Sequence, residues 1–185
     1  VQIKKLRSFA KKINIYFICS VFDVESLEKV RNLNIDAYKI ASSDITDSYL
    51  QKYISKEKKP IILSTGMSNM DEIEKALNEL ITAGAKKEDI TILHCTTEYP
   101  APLHDVNLRA MNSIKNKFNI QVGYSDHTLG IEVSLAAVAL GAEVIEKHLT
   151  LDNTQDGPDH KASLEPDQFK NLVNGISCLL YTSPS

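Results

Sequence analysis

Two short segments contain the residue types best suited to metal-assisted chemistry. Ser125 and His127 lie at the end of one apolar run, and Glu146 and His148 lie at the end of another. Because side chains alternate between the two sides of an extended strand, each pair points to one side. If those sides meet, two imidazoles with water or substrate oxygens suit a divalent transition ion such as Mn²⁺. The alternative is that the histidines only bond backbone carbonyls at strand ends.

A lysine interrupts another apolar run and indicates an anion site. Lys39 lies within the segment YKIAS, where burying an unpaired ammonium is costly, and a bound anion would compensate its charge. Hydroxyls at strand ends would add hydrogen bonds to a phosphate or carboxylate. These hydroxyls belong to Ser20, Ser42, Ser64, Thr97 and Ser125. The alternative is that Lys39 pairs with a protein carboxylate such as Glu146 and that the hydroxyls merely end their strands.

Two turns offer contacts for a sugar. Tyr99 begins the stiff loop Tyr-Pro-Ala-Pro, and Asp159 lies in the turn Gly-Pro-Asp-His. Each residue is equally compatible with simple packing or capping. We expect His94, which lies earlier in its strand, to be a core residue, and His104, in a Pro-rich loop, to be solvated. Gly66 is expected to adopt a positive φ in the turn after its strand.

Short β-branched runs alternate with segments of helical periodicity along the chain. The predicted strands are 15–22, 37–42, 60–65, 90–96, 120–125 and 144–150. The predicted helices are 24–33, 47–56, 70–83, 107–118, 130–140 and 165–174. Strict alternation of the two element types predicts an α/β fold with parallel strands joined by helical crossovers.

Polar residues end every predicted strand, which favours a closed barrel over an open doubly wound sheet. An open sheet concentrates ligands at one switch point, whereas a (β/α)8 barrel brings all its strand ends to one mouth. The sequence has no Gly-rich dinucleotide motif and no P-loop motif. Only about six strand–helix units can be counted. We therefore expect an incomplete (β/α)8 TIM barrel that begins after the first two strands.

The composition is typical of an ordinary globular domain. The 185 residues are 43% hydrophobic and have a net charge of -3, which leaves no excess positive charge for a nucleic acid. No apolar run approaches the roughly 20 residues that a membrane span needs. The cysteines fit neither a zinc pattern nor a disulfide framework and are expected to be free thiols. We therefore expect a cytoplasmic protein with neither nucleic acid nor membrane as a partner.

Six ordered motifs resemble those of the sialic-acid synthase family. They are KIASSD, PIILSTGM, HCTTEYPAP, GYSDHTLG, VIEKHLT and GPDHKASLEP, and they cover the chain to about residue 176. The resemblance implies a (β/α)8 barrel of which this chain holds strands three to eight. It also implies condensation of phosphoenolpyruvate with an N-acyl hexosamine, of the N-acetylmannosamine type, to give a nine-carbon 2-keto sugar acid and phosphate. The last motif resembles sialic and legionaminic acid synthases more than the pseudaminic branch.

The resemblance also implies roles for individual residues. His127 and His148 match metal ligands for a divalent ion, Mn or Mg. Lys39 and Glu146 match catalytic positions, with Lys39 offsetting the charge of the enolpyruvate and Glu146 orienting the sugar or managing protons. The implied phosphoenolpyruvate contacts are Ser20, Lys39, Ser42, Ser64, Thr97 and Ser125. The implied sugar contacts are Tyr99, Glu146 and Asp159.

The family pattern is longer than this chain. Residues 1–176 are expected to form a partial catalytic barrel, and residues 177–185 a non-native or irregular tail. We expect this chain to lack the first two strands and the C-terminal antifreeze-like domain of the family, and therefore to be inactive alone. We expect the full-length form to be a homodimer.

Two rival functions stay open. One is another phosphoenolpyruvate-condensing barrel, such as a 3-deoxy-sugar-acid phosphate synthase, which needs basic residues for a phosphorylated sugar. Lys147 and Lys161 are the candidates near the predicted site. The other is a non-catalytic carbohydrate-binding barrel that keeps the scaffold without turnover.

Overall fold

Helices and strands alternate along the chain in the computed structural model, which describes residues 2–182. The strands are β1 (Ile18–Ser20), β2 (Ala37–Ile40), β3 (Ile61–Ser64), β4 (Ile90–Cys95), β5 (Gln121–Asp126) and β6 (Val144–Lys147). The helices are α1 (Gln2–Lys12), α2 (Val24–Arg31), α3 (Ser48–Ser55), α4 (Met70–Thr82), α5 (Arg109–Phe118), α6 (Glu132–Ala139) and α7 (Pro166–Thr182). The predicted α/β fold is confirmed.

The chain divides into two compact units, Val1–Thr91 and Ile92–Ser185. The strands are hydrogen-bonded in chain order, β1-β2-β3 in the first unit and β4-β5-β6 in the second. The pairs β1–β2, β2–β3 and β5–β6 are parallel. Their numbering as strands three to eight of a barrel stays a prediction.

Buried apolar side chains fill each unit. In the first, the core residues include Leu27, Ile40, Leu50, Ile54 and Leu63. In the second, they include Ile92, Leu93, Met111, Val122 and Tyr124. Strands β2 and β3 are almost wholly buried, as expected of parallel strands that are covered on both faces.

Helix α1 was not predicted, and α7 is longer than predicted. Ile3, Leu6 and Phe9 recur at helical spacing in α1, but all three are exposed and only Ala10 is buried. Helix α7 continues through Thr182, so residues 177–182 are not irregular, and whether they are native stays a prediction. Residues 183–185 of the expected tail lie outside the described residues. Within 2–182, no helix is long and apolar enough to cross a bilayer.

Helix α4 shows most clearly how the sequence defines an element. Ile73 and Leu77 lie on its buried stripe, as the periodicity predicts. A capping box begins the helix: the Asn69 side chain accepts from the backbone N–H of Glu72 at 3.0 Å, and the Glu72 carboxylate accepts from the N–H of Asn69 at 2.8 Å.

Replacing this cap tests the fold. Asn69→Ala should lower the free energy of unfolding by about 1 kcal/mol, because the first-turn N–H groups lose their acceptor. Asn78→Ala, at an exposed position in the same helix, is the matched control and should change stability little. Urea unfolding followed by circular dichroism measures both. Equal stabilities of the two variants would contradict the role given to the cap.

Candidate active site

In the first unit, polar side chains from three strands share one face of the sheet. Ser20 pairs in register with Lys39, and Lys39 pairs with Ile62. Ser64 lies two residues beyond Ile62 and therefore points to the same side. Lys39 is only 8% exposed, and its ammonium is 3.4 Å from the carbonyl oxygen of Ile40. Ser20, Lys39 and Ser64 thus lie on one face of the sheet, and the lysine is buried, whereas their contact with a ligand stays a prediction.

Two serine hydroxyls in this unit have different surroundings. The Oγ of Ser64 is buried, and within residues 2–182 it has no hydrogen-bond partner. The Oγ of Ser42 accepts from the backbone N–H of Gly66 at 3.0 Å. The positive φ of this turn is at Met67 (φ 63), so the expectation for Gly66 was wrong. A buried hydroxyl without a partner is costly, and a ligand that accepted from Ser64 would remove that cost.

Asp44 is a polar residue of this unit that the sequence reasoning did not select. Its Oδ2 is buried and, among the described residues, has no hydrogen-bond partner. Burial raises the pKa of Asp44, while the positive charge of Lys39 acts in the opposite direction. Its position at the end of the KIASSD motif is the sequence feature that could have identified it as a candidate.

In the second unit, hydrogen bonds fix the proton on His127. Its Nδ1 is 2.6 Å from the carbonyl oxygen of Thr96. A carbonyl only accepts, so Nδ1 holds the proton and the neutral ring has its lone pair on Nε2. Nε2 is 3.3 Å from the Oγ of Ser125, and that hydroxyl donates to Glu146 Oε1 at 2.8 Å. The lone pair of Nε2 therefore faces the polar groups of the site.

Other predicted residues surround this imidazole. The ring centroids of His127 and His148 are 5.5 Å apart, and Tyr99 lies 4.1 Å from the first ring and 5.5 Å from the second. The Nδ1 of His148 is 4.0 Å from the Oδ2 of Asp159. The register pairs Ser125 with Glu146, which confirms that these residues share a face.

The donor chemistry of this cluster fits a divalent cation with open coordination positions. Two imidazoles lie close together, and the second nitrogen of His127 is already held by a carbonyl, an arrangement typical of metal-ligating histidines. In the described part of the chain, no group of three His, Cys, Asp or Glu side chains is placed to hold a metal. Water or substrate oxygens would therefore complete the coordination. Metal binding by His127 and His148 stays a prediction.

The opposite face of the same two strands contains a buried ion pair. Lys147 Nζ is 3.0 Å from Asp126 Oδ2, and the two side chains are 1% and 0% exposed. The ammonium also donates to the Thr128 carbonyl at 2.5 Å. Lys147 cannot reach a sugar phosphate on the other face, so its candidacy for that contact was wrong. The sequence already indicated this, because side chains alternate along a strand and Lys147 lies between Glu146 and His148, which were assigned to one face.

The remaining predicted residues lie near the end of β4. Thr97 is half-buried and follows that strand by two residues. His94, expected to be a core residue, is half-buried, and its Nε2 donates to the Val106 carbonyl oxygen at 2.8 Å. The His104 side chain is 82% exposed, as expected.

The burial of His127 predicts a pH dependence of stability. Burial lowers the pKa of His127 below 6.5, and the nearby His148 acts in the same direction. The unfolded chain, with a pKa of about 6.5, then binds more protons than the folded chain as the pH falls, so the free energy of unfolding decreases. We expect the free energy of unfolding to fall less in His127→Gln than in metal-free wild type when the pH is lowered from about 7.5 to about 5.5. Urea unfolding at each pH measures both proteins. An equal loss in both proteins would contradict this assignment.

Comparison with known proteins identifies the family. The model of the NeuB family matches residues 1–181. The N,N'-diacetyllegionaminic acid synthase of Campylobacter jejuni is 57% identical over 173 residues, which cover 94% of this chain and 52% of that protein. The N-acetylneuraminate-9-phosphate synthase of Mus musculus is 39% identical over 183 residues, which cover 95% of this chain and 48% of that protein.

Solved structures show the same fold. The N-acetylneuraminic acid synthetase of Leptospira borgpetersenii superposes with a TM-score of 0.91 at 34% identity, over 99% of this chain and 64% of that chain. A DAHP synthase of Thermotoga maritima, at 23% identity and a TM-score of 0.80 over 95% of this chain and 54% of that chain, shares the fold alone. Both likenesses are consistent with an incomplete TIM-type barrel. The chain spans about half the length of the curated relatives it matches. It belongs to the NeuB family.

Proposed function

We propose that this chain is the greater part of the catalytic barrel of an enzyme that condenses phosphoenolpyruvate with an N-acyl hexosamine. The product would be a nine-carbon 2-keto sugar acid of the sialic acid type, with release of phosphate. The observation that supports this most strongly is the cluster of His127, His148, Ser125 and Glu146, in which the Nε2 of His127 keeps its lone pair on the polar side. Membership of the NeuB family supports the same reaction class.

The first unit supplies groups suited to phosphoenolpyruvate. Lys39 is buried, and Ser20 and Ser64 lie on the same face of the sheet. A buried ammonium beside hydroxyl donors attracts a phosphate or carboxylate. The Ser64 hydroxyl, which has no hydrogen-bond partner among residues 2–182, would gain an acceptor from such an anion. Lys39 would also stabilise the negative charge of the enolpyruvate during the reaction.

The second unit supplies groups suited to the sugar. Tyr99 lies against both imidazoles and is 42% exposed, so one side of its ring is available to a sugar. Glu146 is oriented by the Ser125 hydroxyl and would accept from a sugar hydroxyl or transfer a proton. The Oδ2 of Asp159 lies 4.0 Å from His148 Nδ1, and this exposed carboxylate would accept from a sugar hydroxyl.

The bond changes follow from this assignment. C3 of phosphoenolpyruvate attacks the aldehyde carbon of the open-chain sugar and forms the new carbon–carbon bond. Water adds at C2, and phosphate leaves with cleavage of the C2–O bond. A bound divalent cation, Mn²⁺ or Mg²⁺, would polarise the aldehyde oxygen as a Lewis acid. His127 and His148 would hold that cation, and Glu146 would handle the proton of the sugar oxygen.

The sugar is of the sialic or legionaminic type in this proposal. The relative at 57% identity is named for N,N'-diacetyllegionaminic acid, whose name indicates two N-acetyl groups. We therefore propose a diacetamido hexose as the preferred acceptor and N-acetylmannosamine as the second candidate. A sugar phosphate is the rival substrate, because other relatives are named for a 9-phosphate product. Lys147 is unsuited to hold that phosphate, since its ammonium is bonded to Asp126 and to the Thr128 carbonyl.

Phosphate release tests the reaction and its metal site. The full-length protein that contains this chain should release phosphate from phosphoenolpyruvate only when Mn²⁺ and an N-acyl sugar are both present. His127→Ala should lower kcat/KM at least about 100-fold, because loss of the cation removes several kcal/mol of charge stabilisation. His104→Ala, at an exposed position, is the matched control. Release without sugar, or an unaffected His127→Ala enzyme, would contradict the proposal. The 185-residue chain alone should be inactive.

A panel of acceptors tests the choice of sugar. The diacetamido hexose and N-acetylmannosamine should each be used with a higher kcat/KM than N-acetylmannosamine 6-phosphate, because Lys147 is unavailable to the phosphate. Lys161→Met, which removes an exposed lysine, should leave kcat/KM for the uncharged sugars within about twofold. A higher kcat/KM for the 6-phosphate, lost only for that substrate in Lys161→Met, would instead support the hypothesis of a phosphorylated sugar.

A further inference from the structure

Two charged residues alternate with the candidate catalytic residues but point away from them. The register pairs Ser125 with Glu146 on one face and, at the next position, Asp126 with Lys147 on the other. The side of the sheet that faces α6, called the helix face below, therefore contains an ion pair with essentially no exposure to solvent.

Every oxygen of this buried carboxylate has a partner. Asp126 Oδ1 accepts from the backbone N–H of Thr128 at 2.8 Å and from its hydroxyl at 2.7 Å. Oδ2 accepts from the Ser134 hydroxyl of α6 at 2.5 Å and pairs with Lys147 Nζ at 3.0 Å. The ammonium in turn donates to the Thr128 carbonyl. The pair thus holds Thr128 through three of its polar groups.

A contribution to folding stability does not by itself explain why this ion pair is buried. Removing two charges from water costs several kcal/mol per ion, and well-packed apolar residues of similar volume are often as stabilising or more so. A buried pair with complete hydrogen bonding does, however, permit one arrangement of its neighbours and penalises the others. The neighbours here are His127 and Thr128 at the end of β5, and Glu146 and His148 around the end of β6.

We propose that the Asp126–Lys147 ion pair positions His127 and His148 so that one divalent cation can contact both imidazoles. Asp126 and Lys147 are positioning residues, since neither reaches the face on which the sugar would bind. The pair acts through Thr128, which directly follows His127, and through the backbone on either side of Lys147. This inference rests on the proposed function for its use of a metal.

Two cross-links at successive register positions support this role. On the site face, the Ser125 hydroxyl donates to Glu146 at 2.8 Å. On the helix face, Lys147 pairs with Asp126 at 3.0 Å. A shift of one strand against the other would break both links at once. The histidines lie immediately beyond the second link, so the ion pair limits their relative movement.

A charge-neutral double variant separates positioning from electrostatics. Asp126→Asn/Lys147→Met removes both charges and leaves the net charge unchanged, so any change in cation affinity reports geometry. The matched control is Lys115→Met/Glu143→Gln, which removes an exposed pair, 3.8 Å apart, from the same unit. Electron paramagnetic resonance of free Mn²⁺ gives the dissociation constant of each full-length protein at a temperature well below unfolding.

The expected result is a selective loss of cation affinity. The double variant should bind Mn²⁺ about tenfold more weakly than wild type, within the range found when the residues that orient metal ligands are replaced. Its unfolding temperature should stay near that of wild type, since no unpaired charge is left. The control should bind Mn²⁺ as wild type does. Wild-type affinity in the folded double variant would overturn the proposal.

Two further measurements keep the test decisive. If the double variant does not fold, Thr128→Val, which removes only one hydroxyl of the network, should weaken Mn²⁺ binding about threefold, and an unchanged affinity would overturn the proposal. If wild type itself binds no Mn²⁺, the metal role in the proposed function fails. The ¹⁵N shifts of the two imidazoles in metal-free protein then decide the inference, because unchanged shifts in the double variant would show that the pair positions neither ring.

Discussion

The register between β5 and β6 is the constraint on which the candidate site depends. It places Ser125 opposite Glu146 and Asp126 opposite Lys147. Because side chains alternate with a period of two, a slip of β5 by one residue would turn Asp126 to the site side, away from Lys147, and the imidazole of His127 to the helix side. Each face of this strand pair contains a polar link that only one register completes.

Close approach of the backbones reinforces this register. A side chain at Gly123 would overlap the Val144 carbonyl oxygen and lie 2.6 Å from Leu93 Cδ2, so only glycine fits at this point of β5. The loop after β4 is also tied to the end of β5, where the N–H of Ala101 donates to the His127 carbonyl at 2.9 Å. The backbone on both sides of His127 is therefore held before any ligand binds, which reduces the reorganisation that binding requires.

Sequence periodicity predicted the elements well but predicted the partners of buried charges poorly. Alternation assigned Ser125 and His127 to one face, and the 3.3 Å distance between Ser125 Oγ and His127 Nε2 confirms it. The same rule was not applied to Lys147, which was taken as a possible phosphate contact. Its partner, Asp126, could be known only once β5 and β6 were aligned. The positive φ expected at Gly66 falls on Met67 instead, because turn geometry depends on where the strand ends and on contacts such as that with Ser42.

The protonation of His127 connects the fold to the proposed chemistry. Burial lowers its pKa, so the ring is neutral at neutral pH, and the Thr96 carbonyl keeps the remaining proton on Nδ1. A cation then meets a lone pair on Nε2 without displacing a proton, and binding avoids the cost of deprotonating a ligand. An exposed histidine at the same position would be partly charged near pH 6.5 and free to change tautomer. The burial that destabilises the imidazolium is thus the same feature that prepares the imidazole as a ligand.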